Sequence, residues 1–326
     1  MRNRLLYILL TTVLLASCQS ETIVQVEYDI ATLAPMADGV ASAKAFVYQD
    51  KAYIFGGRTK DGQYQNRLWC YDPQQNEWTD LGQAPMKGRV HPTALVAGDK
   101  AYIGLGYNGK IYTDSCYLRD WWAYSFTDNS WERLPDYPAN TTDHCIGFAT
   151  DTALYAGCGF YSNFSSDMYV YNLNDSTWTQ IKGSHLSSAK KAFAMASAEC
   201  DGRYFAGTGY NLKSLNQWME FTPKNGRFLN RQAMPDKGRD CAVATGGQAN
   251  IYVFGGQRFG GTMTSLHYYD DIMVYSVATD SWKTGSAMPS GGLVNMVAFT
   301  IGKTIYFGLG ENINGQINNS LYCFEE

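Results

Sequence analysis

The sequence predicts an all-β chain folded as a six-bladed β-propeller, its ring closed by an N-terminal outer strand that completes the last blade. Three observations carry this. A glycine element recurs six times, each opened by an aromatic residue with a glycine four positions on: Tyr53 and Gly57, Tyr102 and Gly106, Tyr155 and Gly159, Phe205 and Gly209, Tyr252 and Gly256, Tyr306 and Gly310. A second aromatic follows in every unit, at Tyr71, Tyr124, Tyr171, Phe221, Tyr275 and Phe324, and seven residues beyond it stands Trp78, Trp131, Trp178, Phe228 or Trp282. Only the sixth unit lacks that last partner, and the missing element lies at the other end of the chain. Ala34-Pro35-Met36 matches Ala84-Pro85-Met86, and six residues before each alanine stand Tyr28 and Trp78, so residues 23–33 read as the outer strand of unit six. Pairing the two ends in one sheet leaves no exposed edge in the ring.

Within a unit the elements follow from alternation and turn residues. The first contains AFVY (45–48), YIFGG (53–57), LWCY (68–71) and a strand around Trp78, bounded by Gly, Asn and Asp. No helical period is placed after residue 22. A chain with 14% aromatic residues, 32 glycines and only 17% charge fits many short strands and tight turns. Gly-Leu-Gly at 104–106 is a weak match to a dinucleotide loop, and its recurrence makes it architectural instead.

Glycines after a strand, then a tyrosine, then a tryptophan with six residues between, resemble the kelch repeat. The resemblance covers essentially all of residues 23–326 and implies the propeller fold. Units two, three, four and six depart from it with G-x-G, first glycines Gly104, Gly157, Gly207 and Gly308, and unit four carries Phe228 in place of tryptophan.

The N-terminus is set apart from the fold. Arg2 and Arg4 precede the apolar run LLYILLTTVLL (5–15), and Leu15-Ala16-Ser17-Cys18 resembles a bacterial lipoprotein lipobox. That resemblance implies a signal peptide over 1–17 cleaved before Cys18, acylation of Cys18, and a short tether over 18–22 leading to a single propeller. Gln19, where aspartate would retain the protein in the inner membrane, points to an exported outer-membrane lipoprotein held by its lipid anchor alone. A net charge of −4 without basic runs argues against nucleic acid. Seven cysteines follow Cys18, none in a C-x-x-C pair, and Cys145 and Cys158 face each other across a turn at Asp151-Thr152 as either a bridge or two buried thiols.

Candidate ligand-binding residues come from loops that a propeller gathers around its channel. Thirteen residues past each tryptophan position lie Ala41, His91, His144, Lys191, Cys241 and Asn295; two residues earlier lie Gly39, Arg89, Thr142, Ala189, Arg239 and Leu293, with Asp143, Lys190 and Asp240 between. The loops after the glycine elements add Arg58, Tyr107, Asn108, Tyr161, Asn163, Tyr210, Asn211, Arg258, Glu311 and Asn312. A packing position would repeat one small residue; these differ from blade to blade. Rings, amides and arginines together suit a sugar, an acidic peptide or an envelope protein. His91 and His144 share one repeat position, but spacing places no carboxylate to complete a metal site, so neither metal nor cofactor is expected. The long segment 260–271 holds His267, Tyr268 and Tyr269, and its Asp270 and Asp271 align with Asn66-Arg67, which favours a structural role for those two.

Two functions are expected from this. The first is a membrane-anchored binding module for a glycan or an envelope protein, as a monomer or in an envelope complex. The second rests on a resemblance, in repeat and export signal, to N-acetylneuraminate epimerase, a sialic acid mutarotase. It would use His144 with Asp143 for proton transfer, and Arg89 or Arg239 for the sugar carboxylate.

Overall fold

A computed structural model describes residues 23–109, 113–182, 191–259, 262 and 266–326. The signal peptide, the tether, Cys18, Ala189, Lys190 and most of 260–265 lie outside the described residues.

Six four-stranded antiparallel sheets are present, one per predicted unit. Blade one runs Ala41–Tyr48, Lys51–Arg58, Arg67–Asp72, Glu77–Gln83, and blade two Thr93–Ala97, Lys100–Gly104, Trp121–Ser125, Ser130–Leu134. Blade three runs Ile146–Ala149, Ala153–Gly157, Met168–Asn172, Thr177–Gln180, and blade four Ala196–Cys200, Arg203–Gly207, Trp218–Thr222, Arg227–Asn230. Blade five is Val243–Gly246, Asn250–Phe254, Asp271–Ser276, Ser281–Ala287; blade six is Val297–Ile301, Thr304–Gly308 and Leu321–Glu325, with Ala31–Thr32 as its outermost strand. The innermost strands touch their neighbours all the way around, blade six meeting blade one. Among the described residues the only helical element is a 3-10 turn at Asp114–Cys116.

The ring closes as expected, with a shorter strand. Ala31 and Thr32 pair with Cys323 and Tyr322, while the chain upstream leaves the sheet and Val26 N–H donates to Thr284 of blade five at 2.8 Å. Tyr28 takes the place of the missing tryptophan, stacking on Phe324 with centroids 4.2 Å apart.

Strand alternation sends successive side chains to opposite blade interfaces. In blade five, Ile251 and Val253 pack toward blade four, whereas Tyr252 and Phe254 pack toward blade six. Six apolar clusters result, one between each pair of neighbouring blades. The aromatics seven apart face each other across the outer hairpin, Tyr71 opposite Trp78 and Tyr124 opposite Trp131, with centroids 4.9 Å apart in both pairs. The indole then reaches the preceding blade's connection: Trp78 donates to Ala34 O at 2.9 Å and Trp282 to Gln232 O at 2.8 Å. A burial role thus carries a directional bond as well.

Glycine is required at the end of the second strand, where it lies against the third strand and the entry segment of its own blade. A Cβ on Gly104 would stand 2.1 Å from Asp120 O, and Gly106 has φ +90° with Val90 O 2.5 Å from where its Cβ would sit. The N–H of the second glycine crosses to the next blade: Gly57 to Arg89 O at 2.8 Å, Gly106 to Thr142 O at 2.9 Å, Gly209 to Arg239 O at 2.8 Å, Gly256 to Leu293 O at 2.8 Å and Gly310 to Val40 O at 2.9 Å.

Candidate functional site at the channel mouth

Two residues beyond those accepting carbonyls the chain enters each innermost strand through a left-handed residue. These are Ser42, His91, His144, Ala194, Cys241 and Asn295, with φ of 62°, 52°, 56°, 54°, 54° and 54°. None is glycine, so the surrounding bonds must hold a conformation that L-residues disfavour. Around four of the six steps they do so directly, with Ser42 N–H donating to Asn295 O, His91 to Ser42 O, Cys241 to Ala194 O and Asn295 to Cys241 O, at 2.8, 2.8, 3.2 and 3.0 Å. The register corrects two expectations. The ring position belongs to Ser42 where Ala41 was expected, and to Ala194 where Lys191 was expected. Both connections differ in length from the others, so counting from the outer aromatic misses by one and three residues.

This ring floors a cavity of about 320 Å³ at the mouth of the channel, and Ser42, His91, His144 and Asn295 also line the narrower channel below. Arg58 Nη2 lies 2.5 Å from Glu311 Oε2, and Asn295 Nδ2 donates to Glu311 Oε1 at 3.1 Å. Opposite them His91 Nδ1 is 2.7 Å from Asp143 Oδ1. The His144 ring stacks on His91 with centroids 3.3 Å apart and packs edge-on to Phe193 at 5.1 Å. His144 Nδ1 is 3.0 Å from the same Asp143 oxygen, but its direction is wrong for a hydrogen bond, so both buried ring nitrogens lack a hydrogen-bond partner. Asp143, paired with His144 from the sequence, is thus a carboxylate that both imidazoles approach.

Burial drives the His91 imidazole down to about 4, and the adjacent His144 adds to this against the pull of Asp143. Burial would raise Asp143, but the two imidazoles and their contacts outweigh it and hold the carboxyl below its usual range. Around neutral pH the site therefore presents a neutral His91 beside an ionised Asp143.

Arg89 and Arg239 do not belong to this mouth. Both are 0% exposed. Arg89 forks onto Asp120 at 2.9 and 2.8 Å and donates to Leu105 O and Lys87 O, each at 3.0 Å. Arg239 forks onto Asp271 at 2.7 and 3.0 Å, bonds Asp236 at 2.7 Å and Gly255 O at 2.9 Å, and lies 4.0 Å from the Tyr269 ring centroid. The expectation that they grip a ligand carboxylate fails because every guanidinium face is already occupied inside the protein. The signal was present in the repeat: aspartate precedes the third strand in both blades whose entry carries arginine.

The other candidates fall into three places. Arg58, His91, His144, Asn295 and Tyr107 converge on the cavity together with Glu311, while Ser42, Tyr64 and Phe193 line it unforeseen. Asn108 bonds Gly88 O, Tyr161 bonds Asp114, and the Lys191 carbonyl accepts from Asn211 at 2.6 Å, so these brace loops. Arg258 sits on an outer flap in which Gln257–Arg258 pairs with His267–Tyr268, and Tyr210 joins a half-buried aromatic band with Phe164, Phe193 and Phe259. Cys145 and Cys158 are free thiols.

A family model described as the KLHDC2/KLHL20/DRC7 Kelch-repeats domain matches residues 25–209. Kelch-like protein 25 of Xenopus tropicalis is 26% identical over 162 residues, 49% of this chain and 26% of that protein, so the matched stretch spans about a quarter of such relatives. N-acetylneuraminate epimerase of Pasteurella multocida is 23% identical over 261 residues, 77% of this chain and 58% of that protein. A solved structure titled "Structure of YjhT" superposes with a TM-score of 0.74 at 14% identity, covering 89% of this chain and 96% of that one, a likeness of fold.

Replacing Arg89 with Met should destabilise the protein by about 3–5 kcal/mol, because Asp120 is left charged, four-fifths buried and unpaired. Urea unfolding should show Arg89→Met with Asp120→Leu recovering at least half of that loss; equal loss in both variants would refute the ion-pair account. The depressed His91 value makes a second prediction. Between pH 6.5 and about 4 the unfolded chain takes up a proton that the folded chain refuses, so this contribution is complete above 6.5 and lost toward 4. The unfolding free energy from urea titrations should fall across that window, by about 3 kcal/mol at most, and less steeply in His91→Phe.

Proposed function

Because the chain belongs to the kelch-repeat family, we propose that its propeller is a rigid cup that takes a small acidic sugar at the Arg58 mouth and interconverts its anomers. The observation that carries this is the cavity in which Arg58, Glu311 and Asn295 face His91, Asp143 and His144. Its volume of about 320 Å³ suits a monosaccharide. Arg58 offers two parallel bonds to a carboxylate, in exchange for its present contact with Glu311. Glu311 and Asn295 then face the sugar hydroxyls, and Tyr64, Tyr107 and Phe193 offer apolar faces to the ring.

Anomer exchange requires one proton removed from the anomeric hydroxyl and one given to the ring oxygen, reversed after the open chain has turned. Neutral His91, held by Asp143 with His144 stacked beside it, can take the proton from the anomeric hydroxyl, and the imidazolium so formed can return that proton to the ring oxygen. The ionised carboxylate orients His91 and steadies the transient charge. The similarity to N-acetylneuraminate epimerases supports the choice of an acidic sugar.

Binding without turnover is the second reading, favoured by the aromatic band of Phe164, Phe193 and Tyr210 beside the cavity, which could carry a longer glycan. In either case the propeller is held at the outer membrane by acylated Cys18.

Equilibration of freshly released α-N-acetylneuraminate, followed by proton NMR, should accelerate with the purified chain, and Arg58→Gln should lower kcat/KM about 10–100-fold. Saturable sugar binding without acceleration establishes the second reading; neither binding nor acceleration overturns both. Cys18→Ala should move the protein from the membrane fraction to the soluble one, and wild-type protein that is already soluble would end the anchor proposal.

A further inference from the structure

The two left-handed residues His91 and His144 bring their imidazoles close to one oxygen. Their Nδ1 atoms lie 2.7 and 3.0 Å from Asp143 Oδ1, and the three atoms all fall within 4.8 Å of one another. A second observation is independent of that spacing. Both nitrogens of His144 are buried and neither has a hydrogen-bond partner, a state that buried polar groups rarely occupy. Asn295, in the same ring, is by contrast engaged with Glu311. At His144 the partner that fits is one that accepts a nitrogen lone pair and draws on the same carboxylate oxygen.

We propose that His91, His144 and Asp143 bind one divalent transition-metal ion, with zinc the best match to two imidazole nitrogens and one carboxylate oxygen. Ligands about 2.0–2.1 Å from a tetrahedral ion stand roughly 3.3 Å from one another. The 3.0 Å spacing at His144 is within a few tenths of an ångström of that, the 2.7 Å spacing at His91 must lengthen by roughly 0.6 Å, and the two ring planes, now 26° from parallel, must splay to direct both lone pairs inward. Two neutral imidazoles and one carboxylate leave the ion a net positive charge. Three protein ligands also leave a fourth position, which opens to the cavity shared with Arg58 and Glu311. The ligands come from two adjacent blades, so the ion also ties the His91–His144 step, one of the two steps of the left-handed ring without the backbone bond found at the other four.

The inference concerns residues used in the sugar reading but does not rest on it, and its test contains no sugar. Ion and proton compete for the same lone pair on His91, so anomer exchange is assayed on chelated protein and ion binding on the protein alone. Purified full-length chain is stripped with chelator and titrated with Co²⁺ and then Zn²⁺, by equilibrium dialysis and by ¹⁵N imidazole NMR. One ion per chain is expected, with two of the four histidines shifting. Asp143→Asn and His144→Phe should each weaken binding by roughly 100-fold or more, whereas His267→Asn, on the exposed flap, should not. Should His144→Phe fail to fold, the isosteric Asp143→Asn variant and the wild-type imidazole spectrum decide the matter. No ion retained at micromolar metal, or retention with unmoved imidazole resonances, overturns the proposal.

Discussion

The fold depends on one recurrent contact: the N–H of the second glycine in each glycine element reaches a carbonyl of the next blade's entry segment, in five of six blades. Two sheets can approach that closely only where a side chain is absent. At Gly57 and Gly256, φ near +90° turns the donor outward, and a Cβ on the glycine just before each, Gly56 or Gly255, would meet the accepting carbonyl itself, Arg89 O at 2.9 Å or Leu293 O at 2.3 Å. Once those bonds are made, the following two residues have little freedom, and the left-handed ring follows. The aromatic pairs bury apolar area between blades, but burial is non-directional; the glycine bonds are directional and tie one blade to the next.

The left-handed ring connects architecture to chemistry. All six ring residues share one left-handed conformation, held by backbone bonds at four of the six steps, so each side chain faces the mouth or the channel below it whatever its type. Serine, two histidines, cysteine and asparagine can therefore be exchanged there without altering the fold, and alanine can stand among them. Polar variety at this position is tolerated because the scaffold is secured by main chain, which is how a rigid repeat frame can carry a specific site.

Two arginine clusters show how differently the same residue type is used. Arg89 and Arg239 are buried, forked onto aspartates and bonded to carbonyls, so removing either leaves a charge with nowhere to go. Arg58 is 30% exposed and tied to Glu311 through a single contact at the cavity. An exchange of partners is open to it because solvent and ligand can both reach the pair. Burial separates fastener from candidate ligand residue, and residue identity does not.

The count of six blades, the Tyr–Trp pairing seven residues apart and the closure of the ring by the N-terminal segment were all legible in the sequence, since each is written six times over and repetition averages out local ambiguity. The loops that bear the site were legible too, because a propeller gathers equivalent loops at one face. What tertiary structure alone decided was the identity of the site within them. Arg89 and His91 are two residues apart on one connection, yet the first is sealed in the blade interface and the second opens to the cavity. Ser42, Tyr64 and Phe193 entered the mouth from positions that unequal connections had shifted out of count. Asp143 met two imidazoles from neighbouring blades. Such pairings depend on which way a side chain leaves a strained backbone and on what already fills the space beside it, quantities set by packing across the ring and not by spacing along the chain.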